Sequence, residues 1–203
     1  MSGTLYIVSA PSGAGKTSLV RELIKQVSNL KLSVSHTTRE SRSGETDAVD
    51  YHFVSTEEFL QMVSRTEFLE HAQVFSHYYG TSEIWVKDQL KSGQDVILEI
   101  DWQGATQVRR LMPAACSIFI LPPSRAVLEE RLRNRATDSD EVIARRLAEA
   151  KQEMSHYSEA DYLIINDDFD TAVAQLESIV LSHRTKIASQ SITHRETISE
   201  LLS

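Results

Sequence analysis

The sequence predicts an α/β fold: a mainly parallel sheet flanked by helices on both faces, interrupted by a small α+β insertion and an arginine-rich helical segment. Three observations carry this reading. Four short apolar runs, each closed by turn or polar residues, alternate with stretches of helical periodicity, as in strands joined by crossover helices. Residues 36–90 break that rhythm and are more polar. Residues 125–156 are helical and begin behind a Pro-Pro turn.

The elements follow in order. TLYIVSA (4–10) is an apolar run stopped by Pro11 and Gly13, which reads as a buried strand. KTSLVRELIKQV (16–27) puts Leu19, Leu23, Ile24 and Val27 on one stripe of a helix. In the insertion, VDYHFV (49–54) and EFLEHAQVF (67–75) alternate like strands around a helical STEEFLQMV (55–63). DVILEID (95–101) is a second buried strand, followed by the helical QGATQVRRLM (103–112). CSIFILPP (116–123) is a third, ended by Pro122 and Pro123. DYLIIND (161–167) is a fourth, and a long helix is expected from Asp168. Its apolar Ile198, Leu201 and Leu202 are expected to pack on their own domain. The division predicted is a core of 1–35, 91–124 and 157–203, an insertion of 36–90 and a helical segment of 125–156.

Composition bounds the function. The 203 residues carry 29 acids and 21 bases, a net charge of −8, which weighs against a nucleic-acid binder. No window approaches the ~18 apolar residues of a membrane span, and the N-terminus lacks a signal-peptide pattern. The single cysteine, Cys116, excludes an internal disulfide, lies in an apolar run and reads as a core residue of a cytoplasmic protein. Five arginines fall between Arg131 and Arg146 (Arg131, Arg133, Arg135, Arg145 and Arg146). Some are expected to serve an anion; others read as a solvated helix face with pairs such as Glu141 and Arg145.

The stretch SAPSGAGKTS (9–18) points to chemistry. A phosphate-holding loop, G-x-x-x-x-G-K-[ST], turns consecutive backbone N–H groups and a helix N-terminus towards phosphate oxygens. Its lysine reaches the β- and γ-phosphates, and its hydroxyl ligates Mg²⁺. Here Gly13, Gly15, Lys16 and Thr17 stand between a strand and a helix, with Pro11, Ser12, Ala14 and Ser18 completing the ATP-binding loop. Ala10 replaces the first glycine, which is tolerable if its φ is negative; Pro11 biases it that way. Asp101 ends a strand, where it either holds Mg²⁺ through water or caps the next helix.

Five separated stretches, SAPSGAGKTSL, SVSHTTRESRSGE, FLEHAQVFSHYYGTS, EIDWQGA and YLIINDD, occur in the order and spacing of guanylate kinases. The resemblance runs from about Gly3 to the C-terminal helix and is greatest to the compact bacterial enzymes. It implies a P-loop NTPase fold whose insertion binds GMP and whose residues 125–156 form a lid. The implied reaction is Mg²⁺-dependent transfer of the γ-phosphoryl of ATP to GMP, and to dGMP, giving ADP and GDP in purine metabolism. Arg39 and Arg42 would hold the GMP phosphate with Tyr51 and Tyr79. Glu70 would read guanine, with Ser35, Thr81 and the close approach at Gly80 beside it. Glu99, where some members have Asp, would reach the guanine edge, and Asp101 joins the same set. Arg135 and Arg146 would close over the phosphates, with Arg39 and Lys16 sharing the catalytic charge. Asn166 and Asp167 would border adenine, unless they form only a strand-ending turn. Read without the family, Glu70 is a half-exposed strand residue and the arginines are solvated. Ser41, where Pro is usual, and Ala136, where Gly is usual, depart from the family pattern. The resemblance implies no membrane or nucleic-acid partner and leaves a homo-oligomer open without specifying one. A kinase for another monophosphate, and a scaffold module that reads phosphopeptides, are the rival readings.

Overall fold

The computed structural model describes residues 3–74, 76–135 and 140–203, without the side chains of 134, 135, 140 and 142. The four predicted core strands form, the first of them as β1 (Leu5–Ser9). α1 (Lys16–Gln26) follows the first loop, burying Leu19, Val20 and Leu23. β2 (Leu30–Leu32) was not expected; three residues with a solvent-facing Lys31 leave too little pattern to read.

The insertion builds its own sheet. β3 (His36–Thr37) and β4 (His52–Phe53) lead to α2 (Thr56–Ser64), whose first turn is capped by the Ser55 hydroxyl accepting from the Glu58 N–H. β5 (Phe68–Val74) and β6 (His77–Ser82) pair antiparallel, and the sheet runs β4-β3-β6-β5. α3 (Glu83–Lys91) then returns to the larger sheet. Its Val86 and Leu90 share a core cluster with β7 (Asp95–Glu99). α3 touches β5 and β6 of the smaller sheet as well as β7 of the larger one, so it packs on both.

α4 (Trp102–Leu111) leads to β8 (Cys116–Leu121), then α5 (Arg125–Arg135) and α6 (Asp140–Met154), a turn at Tyr157–Glu159, and β9 (Tyr162–Ile165). The larger sheet is parallel throughout, in the order β2-β7-β1-β8-β9. β1 lies in the middle and alternates its faces. Tyr6 and Val8 meet α1 and α7 (Phe169–Arg184), while Leu5 and Ile7 meet α3 and α4. Burial on both faces explains why these strands read as continuous apolar runs.

The C-terminal helix is broken. α7 ends at Arg184, and α8 (Ile187–Thr193) and α9 (Arg195–Leu201) follow. The expected packing of the last apolar residues does not occur: Ile198, Leu201 and Leu202 are 38%, 79% and 83% exposed, on a short helix that follows the break after α7. Among the described residues no helix is long and apolar enough to cross a membrane.

Candidate active site

Consecutive parallel strands with crossover helices collect their following loops at one sheet edge, where ligands bind in such folds. The β1–α1 loop occupies that edge. Gly13 and Gly15 adopt φ of 89° and 94°, and a Cβ on Gly15 would lie 2.5 Å from the Asn166 amide nitrogen. The described residues other than glycine with positive φ are Asn29, Ala48 and Thr66, so Ala10 has the negative φ its replacement of glycine required. The Ala14 N–H returns to the Pro11 carbonyl at 3.1 Å, closing the loop.

Lys16 extends across the edge, its Nζ donating to the Ile100 carbonyl at 3.1 Å. The Thr17 hydroxyl donates to the Glu99 carboxylate. Asp101 caps α4, accepting from the Gly104 N–H at 2.9 Å and from the Gln103 side chain at 3.2 Å. The helix-cap reading of Asp101 is thus realised. Glu99 lies on the loop hydroxyl, and Asp101, expected both with the guanine-reading set and at the metal, lies near Glu70, where its charge adds to the rise in the Glu70 pKa. β7 ends between them, and residues 99 and 101 diverge because α4 starts at Trp102.

One cleft joins these groups to the smaller sheet. Ala10, Pro11, Ser12, Gly13, Gly15, Lys16 and Thr17 line it from the loop; Glu99 lines it from the end of β7 and Asp101 from the cap of α4; Ser35 lines it just before β3, and Tyr51, Glu70 and Tyr79 from the insertion. Glu70 is 3% exposed, not half-exposed, and burial pushes its carboxyl up to about 7. It sits opposite Thr81 in the β5–β6 ladder and accepts the Thr81 hydroxyl at 2.5 Å. Thr81 is fully buried, so here it holds Glu70 and does not line the cleft. Gly80 is also set apart from the cleft. A Cβ there would lie 2.9 Å from the Phe68 ring and 3.1 Å from Phe59, so the glycine makes room for rings.

The rings of Tyr51 and Tyr79 lie 6.0 Å apart, edge to face. Arg39 packs beside them, its guanidinium 5.3 Å from the Tyr51 ring centroid. That guanidinium donates to both oxygens of Glu45 at 2.7 and 3.0 Å, which raises its pKa further and lowers that of Glu45. The Arg42 backbone N–H donates to the same carboxylate at 2.8 Å, while its side chain is exposed. The anion these two residues share is therefore Glu45.

Several expected residues lie elsewhere. Asn166 is 4% exposed and donates to the Ala14 carbonyl at 2.7 Å, so it buttresses the loop; Asp167 is exposed beyond the strand. Ala14 is buried beneath the loop, and Ser18 is exposed one turn into α1. Arg131 reaches the Ala14 and Asn166 carbonyls at 3.4 and 3.3 Å. Arg133 pairs with Glu129, and Arg145 with Glu149. Arg146 is half-buried on α6. The Arg135 side chain and Ala136 lie outside what the structure describes.

The sequence reading missed Glu153. From the end of α6 it accepts the Ser12 N–H at 3.1 Å, placing a carboxylate on the phosphate loop. Burial raises its pKa. Two acids four residues apart, Glu149 and Glu153, gave no sequence signal beyond that of a solvated helix face.

A glycine loop opening a helix at the edge of a parallel sheet, with lysine and hydroxyl turned into a cleft, defines a P-loop nucleotide-binding protein. The guanylate kinase family model matches residues 2–183. The guanylate kinase of Saccharophagus degradans is 60% identical over 202 residues, covering 100% of this chain and 98% of that one. That of Escherichia coli is 55% identical, covering 98% of each. A crystal structure of guanylate kinase from Anaplasma phagocytophilum superposes with a TM-score of 0.76 at 35% identity, over 91% of this chain and 88% of that chain. The chain belongs to the guanylate kinase family.

Proposed function

We propose that this protein transfers the γ-phosphoryl group of ATP to GMP, and to dGMP, giving ADP and GDP in the cytoplasm. The observation that carries the reading is the buried Glu70 carboxylate in the same cleft as the phosphate loop. Guanine offers a ring N–H and an exocyclic amine to one carboxylate; adenine would leave it unpaired, and a site built on such bonds rejects the wrong base strongly. Glu70 and Asp101 supply the base-reading acceptors, with Thr81 orienting Glu70. Arg39 and Arg42 exchange Glu45 for the GMP phosphate, with Ser35, Tyr51 and Tyr79 adding hydroxyls.

The backbone of residues 12–18 and the Lys16 ammonium hold the ATP phosphates; Asn166 and Arg131 hold the loop through Ala14. Mg²⁺ is the expected metal. The Thr17 hydroxyl beside the Glu99 carboxylate is a hard oxygen pair that suits it. Thr17 and Glu99 would hold it, with Asp101 reaching it through water, and it would neutralise charge on the transferring phosphoryl. GMP already carries a nucleophilic oxygen, so the protein's work is alignment and charge stabilisation. Residues 36–90 act as the acceptor-binding insertion and 125–156 as a lid that brings Arg135 and Arg146 over the phosphates and excludes water.

ADP formation from Mg-ATP with GMP, dGMP, AMP, CMP and UMP offered separately tests this. Turnover with GMP, less with dGMP and none with the rest is expected. A different preferred acceptor overturns the reading of Glu70. No turnover in a folded protein that binds GMP would indicate a binding module.

A further inference from the structure

Glu70 sits on β5, the edge strand of the smaller sheet, just past a shift in the β5–β6 register between Phe68 and Glu70. The outer side of an edge strand presents backbone N–H and C=O groups that no neighbouring strand pairs. Here α4 supplies partners for two of them. The Gln107 carboxamide takes both backbone groups of His71: its oxygen accepts the His71 N–H at 3.2 Å and its nitrogen donates to the His71 carbonyl at 2.8 Å. This is the pairing a further strand would have made, supplied by one side chain. The His71 N–H belongs to the peptide plane that leaves Glu70, so clamping it fixes the backbone on the C-terminal side of Glu70. Just under one turn earlier on α4, Gly104 leaves the space that the Glu70 carboxylate fills; a Cβ there would collide with it. Asp101, which caps α4, fixes the start of the same helix.

We infer that Gln107 is a positioning residue for base recognition: with Gly104 it sets the place of Glu70, and so sets the preference for guanine without touching the substrate. The inference rests on the reading of Glu70 given above. A base-reading carboxylate must meet two N–H groups at hydrogen-bond distance, and a displacement of about 1 Å forfeits much of that bond. The hydrogen bonds of the clamp join Gln107 to His71, outside the phosphate loop, so KM for ATP serves as the control.

The test uses the full chain. Gln107→Met keeps the length of the side chain and removes both hydrogen bonds. Gln107→Glu, assayed at pH 8, keeps the acceptor for the His71 N–H and removes the donor. GMP is compared with inosine monophosphate, whose base lacks the exocyclic amine. For Gln107→Met, KM for GMP should rise about tenfold and the preference for GMP in kcat/KM should narrow by a similar factor. KM for ATP should stay within about twofold, and Gln107→Glu should fall between Met and wild type. Unchanged KM and preference for GMP in a variant with wild-type Tm would overturn the inference. So would a rise in KM for ATP that matches the rise for GMP, the mark of general loosening. If the Met variant fails to fold, Gln107→Glu decides by the same readouts. Glu70→Gln, measured alongside, separates the two layers. If it leaves the preference intact, the reading of Glu70 fails and the inference with it. If it collapses the preference while both Gln107 variants keep theirs, only the inference fails.

Discussion

Single side chains divide the cleft into two chemistries. Lys16 is the one fixed ammonium on the donor side that the sequence located without help, and it spans from the loop to the Ile100 carbonyl. Replacing it by Met removes the charge that meets the transferring phosphoryl. Turnover should fall by about 100-fold or more, while GMP affinity, measured by calorimetry, stays within about twofold. Unchanged turnover would sink the mechanism. Glu153 acts in the opposite sense. Its carboxylate sits on the Ser12 N–H, where an ATP phosphate oxygen must compete with it. Glu153→Gln keeps the shape and removes the negative charge, so KM for ATP should drop about 3- to 10-fold, the scale of one charge-assisted hydrogen bond weakened. An unchanged or higher KM would show that the carboxylate does not compete.

Whole elements explain why some residues in the recognisable motifs never reach the cleft. β6 carries Tyr79, Gly80 and Thr81 in succession, and alternation sends neighbours to opposite faces. Tyr79 therefore lines the cleft, while Gly80 lies under Phe68 and Phe59, whose rings stack at 4.6 Å. The smaller sheet and α2 meet through these rings, so Gly80→Ala should destabilise the protein by about 1–3 kcal/mol through overpacking. Urea unfolding with an unchanged m-value would measure it, and a stability equal to wild type would show that the rings yield freely. The same logic applies to Asn166. Its motif marks the end of β9, but the side chain turns inward to Ala14 and secures the loop.

At the scale of the molecule, a half-buried histidine and a buried glutamate oppose each other. His36 stacks on His52, has no partner for its buried Nδ1, and burial lowers its pKa from 6.5 to about 4. Between those values the unfolded chain binds the extra proton, so this group makes stability fall as pH falls. Glu70 is raised from 4.5 to about 7, so there the folded chain binds the extra proton and stability rises as pH falls. The two windows overlap from about 4.5 to 6.5, and their slopes cancel. Compared with wild type, Glu70→Gln should lose stability more steeply on acidification across that window, and His36→Phe should gain relative stability. Denaturant midpoints at pH 4.5 and 6.5 check both; parallel profiles for all three proteins would refute the pairing.

What could be read from the chain alone were the features written in local pattern. Apolar runs buried on both faces announced β1, β7, β8 and β9. The glycine spacing before Lys16 and Thr17 announced the loop, because tight turning and backbone exposure demand those residues wherever they fall. Arg39, Glu70 and Tyr79 were singled out through the five spaced motifs, and Tyr51 through the family resemblance those motifs carry, since nothing local distinguishes a base-reading glutamate from a solvated one. The tertiary structure alone decided the rest. It brought Glu99 to Thr17 and Asp101 towards Glu70, because the direction of a side chain at a strand end depends on where the next helix begins. It turned Asn166 inward, placed Glu153 on the loop, and set Gln107 against His71. Each of these placements joins residues at least 31 positions apart, and sequence pattern carries no register for elements that meet only after the chain has folded.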